Sequence, residues 1–273
     1  MRLSLLACLP VLVALGLPAS DAGAGSGTPD LREAAQFGVL PGWRTDSGTH
    51  MTALRVTLGP GWKTYWRAPG DAGIPPRFDW EGSENLQAVE FHWPTPEVFH
   101  LNGMQTIGYR DELILPIELT PRDGGEIALR ADLEIGVCQD ICMPMHVRLR
   151  ADLGPSARQD PRIRGALADA PATAREAGVR DVRCSVAPIS DGLRVSAEIE
   201  MPRMHGDEVA VFEMPDQSIW VSEADVTREG GTLSAVADMV PPNGKPFMLN
   251  RSDVRITIIG AGQAVDIRGC SAG

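Results

Sequence analysis

The residues in this sequence best placed to do chemistry are two cysteines in the run Cys138–Gln139–Asp140–Ile141–Cys142. A cysteine pair can open and close as a disulfide, and the labile or catalytic disulfides are the strained or exposed ones. The flanking residues say how this pair is held. From Glu126 to Val137 the apolar side chains fall on odd numbers (Ile127, Leu129, Ala131, Leu133, Ile135, Val137), and from Met143 to Leu153 they do so again (Met143, Met145, Val147, Leu149, Ala151, Leu153). Alternation with a period of two marks a half-buried strand, so the stretch reads as two strands joined by a short turn. Pairing Val137 with Met143, Leu133 with Val147 and Leu129 with Ala151 sets every inward residue against an inward partner. A slip of one residue would bury polar side chains instead.

The same register puts Cys138 opposite Cys142. Directly opposed residues of an antiparallel pair have Cα atoms about 4.5–5.5 Å apart, inside the roughly 4.4–6.8 Å that a disulfide spans. Both cysteines have even numbers, so both sulfurs are expected on the outer face, accessible and away from the core. No helix N-terminus, Lys or Arg that would lower a thiol pKa is evident beside them, and Asp140 between them disfavours a thiolate. The expected chemistry is therefore passive. A partner's thiolate attacks the 138–142 disulfide, a mixed disulfide resolves, and the reduced pair is later oxidised by another protein. A carboxylate near the turn could help to move protons, and Glu97 is the candidate if the loop from Glu97 to Ile107 folds over the tip.

The chain has 273 residues, enough for one or two domains. It opens with Met1–Arg2, an apolar run from Leu3 to Leu17 and a small-residue exit, the pattern of a secretory signal peptide over 1–22. The apolar run is too short for a membrane span, so the product is expected outside the cytoplasm, where disulfides persist. The net charge is −11, and removing residues 1–20 takes away only Arg2, giving −12. Such a chain is a poor partner for nucleic acid or an anionic membrane.

Beyond the leader the pattern is short strands between Gly/Pro turns. Thr52 to Leu58, Ala88 to Trp93 and Leu113 to Leu119 read as strands, while 21–36 is Gly-, Ala- and Asp-rich and reads as mobile. Trp62, Tyr65, Trp66, Phe78 and Trp80 are expected to fill a sandwich core. The fold class that follows is all-β, with a β-sandwich carrying the cysteine hairpin over 23–153. Residues 154–180 change to Ala, Arg, Asp and Pro and read as a linker, in which Pro161 to Asp169 could form two helical turns. A second, smaller β domain is expected over 181–273. Its ends hold Cys184 and Cys270, and loop geometry favours the pairings 138–142 and 184–270. Closing the long loop would stabilise by about 4.6 kcal/mol and the short one by about 2 on the chain-entropy account. The first contrast suits a structural staple, and the second a bond that can be opened.

Several stretches resemble the amino-terminal domain of the periplasmic disulfide reductase DsbD, and more closely its copper-sensitivity-suppressor branch, ScsB. They are Gly61–Trp62–Lys63–Thr64–Tyr65–Trp66, Pro69–Gly70, Pro75–Pro76, Trp93–Pro94, Gly108 to Pro116, and Val137–Cys138 through Cys142–Met143–Pro144. The resemblance implies an immunoglobulin-like sandwich with a redox pair, here Cys138 and Cys142, under a movable cap. The cap would be Glu97–Val98–Phe99, with Phe99 shielding the sulfurs. It further implies a periplasmic thiol:disulfide oxidoreductase with no cofactor beyond its disulfide. Such a protein takes electrons from a membrane donor and passes them to thioredoxin-like proteins. The sequence carries neither the membrane conduit nor the carboxy-terminal thioredoxin-like domain of the full-length reductases, so it is expected to be one station in a relay.

Two other functions compete. Cys138, Cys142, Met143, Met145 and His146 are soft donors suited to Cu(I), but strand parity separates the methionines from the rest, leaving a two-thiolate site at Cys138 and Cys142. A non-catalytic assembly module would make the cysteines incidental. His50, His92, His100 and His205 have no spacing that suggests catalysis, and no zinc-hydrolase or phosphate-loop motif is present.

Overall fold

A computed structural model describes residues 31–273 except 71, 102, 156 and 157. The expected leader over 1–22 lies outside the described residues. The first unit runs through the strands Ala35–Arg44 (β1), His50–Leu58 (β2), Lys63–Tyr65 (β3), Arg77–Asp79 (β4), Leu86–Phe91 (β5), Glu97–Leu101 (β6), Met104–Arg110 (β7), Glu112–Pro121 (β8), Ile127–Cys138 (β9) and Cys142–Leu153 (β10). They make two sheets, one in the order β1–β2–β8–β5 and the other β10–β9–β3–β7–β6, with β4 also on β9. Alternating side chains fill the space between them: Leu54 and Val56 from β2, Leu113, Leu115 and Leu119 from β8, Leu133, Ile135 and Val137 from β9. This is the immunoglobulin-like sandwich, each strand giving every second residue to the core. Trp66 is fully buried in it, and Phe78, Phe91, Trp93 and Tyr109 form a run of rings with successive centroids 4.5, 6.1 and 6.4 Å apart.

Three local expectations change. Residues 31–36 are ordered: a turn of helix, Leu31–Ala34, leads into β1, and Ala34 and Ala35 are buried. Small side chains that read as loop composition here allow close packing, with Gly59 N–H donating to Ala34 O at 2.9 Å. The stretch from Glu97 to Ile107 is a hairpin, β6 against β7, rather than a loop, turning at Gly103 with φ +78°. The linker forms the two helical turns expected, Pro161–Ala168, capped by the Asp160 carboxylate, which accepts from Arg162 N–H at 2.9 Å, but the helix does not stand free. Its Ile163 is buried against Leu40, Trp43, Met51 and Ala53, on the face of β2 opposite to Leu54 and Val56. The segment is thus docked rather than free.

The second unit is a smaller β-sandwich. One sheet runs Ala172–Thr173, Gln263–Arg268, Arg255–Gly260, Val209–Glu213; the other runs Trp220–Val221, Thr232–Val240, Leu193–Glu200, Asp181–Pro188, Ser271–Ala272. Asp225–Glu229 pairs on the outside of Thr232–Val240. Cys184 and Cys270 are bonded, with Cα atoms 5.7 Å apart, and tie the start of this unit to its end.

The two units share a core. Val211, Ile259 and Ala264 of the second pack into the same apolar cluster as Trp66 and Leu133 of the first. Beside it the Arg67 guanidinium makes a two-pronged pair with Glu213, at 2.8 and 3.0 Å, while lying 3.9 Å over the Trp66 ring. Both charged side chains are only 14 % exposed. Removing one member of a buried pair costs roughly 3–5 kcal/mol, whereas replacing both by apolar groups is often neutral. Arg67→Met is therefore expected to lower the urea-denaturation stability of the chain by about 3 kcal/mol, and Arg67→Met with Glu213→Leu to recover most of it. Equal losses in the single and double variants would show that the pair does not join the units.

Candidate functional site

The β9–β10 register is continuous from Ile127↔Leu153 to Cys138↔Cys142. It brings the two cysteine Cα atoms to 4.2 Å, and the sulfurs are bonded. Gln139, Asp140 and Ile141 form the exposed tip, with Ile141 74 % exposed. The two sulfurs are not equivalent. Cys142 is exposed, but Cys138 is fully buried although it too points away from the core.

Tyr65 is the reason. Its hydroxyl lies 2.6 Å from Cys138 Sγ and 3.0 Å from Cys142 Sγ, and since bonded sulfurs carry no hydrogen, the phenol donates to them. Parity along β3 sends Trp66 into the sandwich and Tyr65 out onto the sulfur side. To reach them the ring must cross β9, and it does so at Gly136, where an added Cβ would sit 2.8 Å from the ring. Burial raises the Tyr65 pKa above the ordinary phenol range, so the group remains a donor throughout the physiological range.

A cation is also present, contrary to expectation. Lys63 is the cross-strand partner of Cys138 on the other side of β9, and Arg110 is the partner of Lys63 on β7. Directly opposed residues project from the same face, so Cys142, Cys138, Lys63 and Arg110 form one row on the outer face of this sheet. The proximity was hidden because it depends on which strand lies beside β9, and a three-residue strand carries too little alternation to announce its neighbours. Lys63 Nζ donates to Thr106 Oγ1 at 3.0 Å, and burial lowers its pKa below the usual lysine range.

The expected cap residues share that face. Glu97 opposes Gly108, which opposes Tyr65; Glu97 is ion-paired with Arg110 at 2.8 Å. The Phe99 ring is flanked by Lys63 Nζ at 5.1 Å and by the Arg110 guanidinium at 4.9 Å. The β6 backbone is three strands from Cys138, about 14 Å at the usual spacing. The side chain that touches the sulfurs is Tyr65. Among the soft donors, Met143 and Met145 pack against the core, and His146 is exposed with its Nδ1 3.5 Å from Glu134. Tyr65, Lys63 and Gly136 are the residues that the sequence reading missed. Composition groups Tyr65 with the neighbouring core tryptophans, and only its parity relative to Trp66 separates it.

Residues 32–153 match the family described as "Thiol:disulfide interchange protein DsbD, N-terminal". No curated protein matches the chain. Among solved structures, the N-terminal periplasmic domain of ScsB from Proteus mirabilis is similar, with a TM-score of 0.69 and 22 % sequence identity over 95 % of this chain and 97 % of that one. That likeness extends the shared fold across both β units. The cysteine hairpin and the sandwich that presents it, residues 32–153, belong to the DsbD amino-terminal family of thiol:disulfide interchange proteins.

Proposed function

We propose that the chain is a periplasmic thiol:disulfide interchange protein of the ScsB type, one component of a protein-disulfide reductase. It would carry electrons from a membrane donor to thioredoxin-like proteins through Cys138 and Cys142. The observation that carries the reading is the asymmetry of the pair: an exposed Cys142 bonded to a buried Cys138, with one phenol hydroxyl on both sulfurs. The name of the similar ScsB domain supports the location.

The geometry supports a definite order of steps. On loading, the donor's thiolate attacks Cys142 Sγ, the S–S bond breaks, and its electron pair leaves on Cys138 Sγ. That sulfur is the better leaving group because the Tyr65 hydroxyl donates to it at 2.6 Å, the shorter of its two contacts. A second donor thiol then resolves the mixed disulfide and leaves both cysteines reduced. On delivery, Cys142 as thiolate attacks the disulfide of the acceptor. Cys138 then attacks Cys142 Sγ, the chain disulfide re-forms, and the acceptor departs as a dithiol. Two electrons and two protons pass in each half. Binding of Cu(I) by the reduced pair would use the same two sulfurs, with no methionine on their side of the strand.

Two experiments test this. Cys138→Ala leaves the exposed sulfur without its resolving partner, so the reduced variant is expected to accumulate a mixed disulfide with an oxidised thioredoxin-fold protein, read by non-reducing electrophoresis. Cys142→Ala leaves only the covered sulfur and is expected to trap little. Equal trapping by both variants, or by neither, removes the basis for the assignment. Tyr65→Phe deletes a hydrogen bond to a sulfur that becomes charged, a loss of about 1.5 kcal/mol or more, so exchange should slow at least about tenfold. Because the phenol's pKa is raised, the donor stays protonated, and the slowing should be constant between about pH 6 and 9. An exchange rate unchanged by the substitution would assign Tyr65 a packing role only.

A further inference from the structure

The sheet that does not carry the disulfide brings three metal-binding side chains together. Glu90 lies on β5, His92 follows two positions later on the same face, and Glu118 stands directly opposite Glu90 on β8. One donor atom from each lies within 4.8 Å of the others. His92 Nε2 is 3.1 Å from Glu118 Oε2, and both side chains are about one-quarter exposed. The second oxygen of Glu118 accepts from the Thr49 hydroxyl at 2.6 Å, and Thr49 is bonded in turn to Thr45 at 2.6 Å. Hydroxyls that fix a carboxylate from behind are the usual outer layer of a metal site.

Electrostatics leave the cluster short of positive charge. Two carboxylates placed directly across from one another in a sheet repel. Among the described residues neither has an ion pair with Lys or Arg, and the imidazole is the sole basic group on them. We propose that Glu90, His92 and Glu118 form a three-ligand site for a divalent cation of the zinc type. Zinc bonds of about 2.0–2.1 Å put tetrahedral donors roughly 3.4 Å apart; His92 and Glu118 stand at 3.1 Å, and the Glu90 oxygen lies within 4.8 Å of both. Two carboxylates balance the double charge, and one imidazole suits a borderline cation; with no sulfur in the set, soft Cu(I) is disfavoured. The fourth position is left for water or another ligand. The site is independent of thiol exchange, since the sulfurs are on the other sheet.

The test uses the oxidised full chain, stripped with a chelator and titrated with zinc chloride in a calorimeter. One ion per chain is expected, with an X-ray absorption spectrum containing only nitrogen and oxygen neighbours. Glu90→Gln, at an exposed position where folding is not at risk, and His92→Ala should each weaken binding at least tenfold, and Thr49→Val by about tenfold. Absence of saturable binding would overturn the proposal. So would affinity unaltered in Glu90→Gln and His92→Ala, or sulfur in the spectrum.

Discussion

Ile127, Leu129, Leu133, Ile135 and Val137 of β9 are almost completely buried between the sheets, and their burial fixes the register in which Cys138 meets Cys142. Each such side chain contributes about 2 kcal/mol, so a slip that turned them all outward would cost on the order of 10 kcal/mol. The bond between the two sulfurs closes a very short loop and contributes only about 2. The sandwich therefore holds the cysteines in position whether or not they are bonded. That separation of roles suits a disulfide meant to open, because its reduction leaves the geometry needed to close it again.

The same strands do two different jobs on their two faces. Inward residues of β9 and β3 build an apolar core that continues into the second unit through Val211, Ile259 and Ala264. Outward residues of the same strands assemble the polar row of Cys142, Cys138, Lys63 and Arg110, with Tyr65 lying across it. The rigidity of the first face sets the precision of the second. The β6–β7 hairpin beside the site is held to β3 by the β3–β7 ladder, one Lys–Thr hydrogen bond and the cations around Phe99, which leaves the tip at 139–141 as the most exposed part.

What the sequence revealed was local. The β9–β10 alternation gave the strand pair, its register and the opposition of the cysteines, because twelve-residue strands repeat the signal many times. Most longer strands of the second unit were legible for the same reason. Asp181–Pro188 and Gln263–Arg268 alternate too, but with few large apolar side chains (Val182 and Val186 in one, Val265 and Ile267 in the other), so their signal is weak. The site beyond the cysteines was hidden by distance along the chain. Tyr65 reaches the sulfurs across 73 positions, and Lys63 comes to stand opposite Cys138 across 75, through a strand of three residues. His92 and Glu118 meet across strands in the same way. Exposure was misjudged at Cys138 since parity gives a side chain's direction, and says nothing of what else may lie over it.

Gly136 has no side chain to contribute, yet the phenol can occupy its place only because of that vacancy. A methyl group there would collide with Tyr65 and with Ile74. Ring or strand would have to shift, and the hydroxyl's place on the two sulfurs would shift with it. The cover over Cys138 thus depends on a missing carbon atom two residues away from the sulfur it guards.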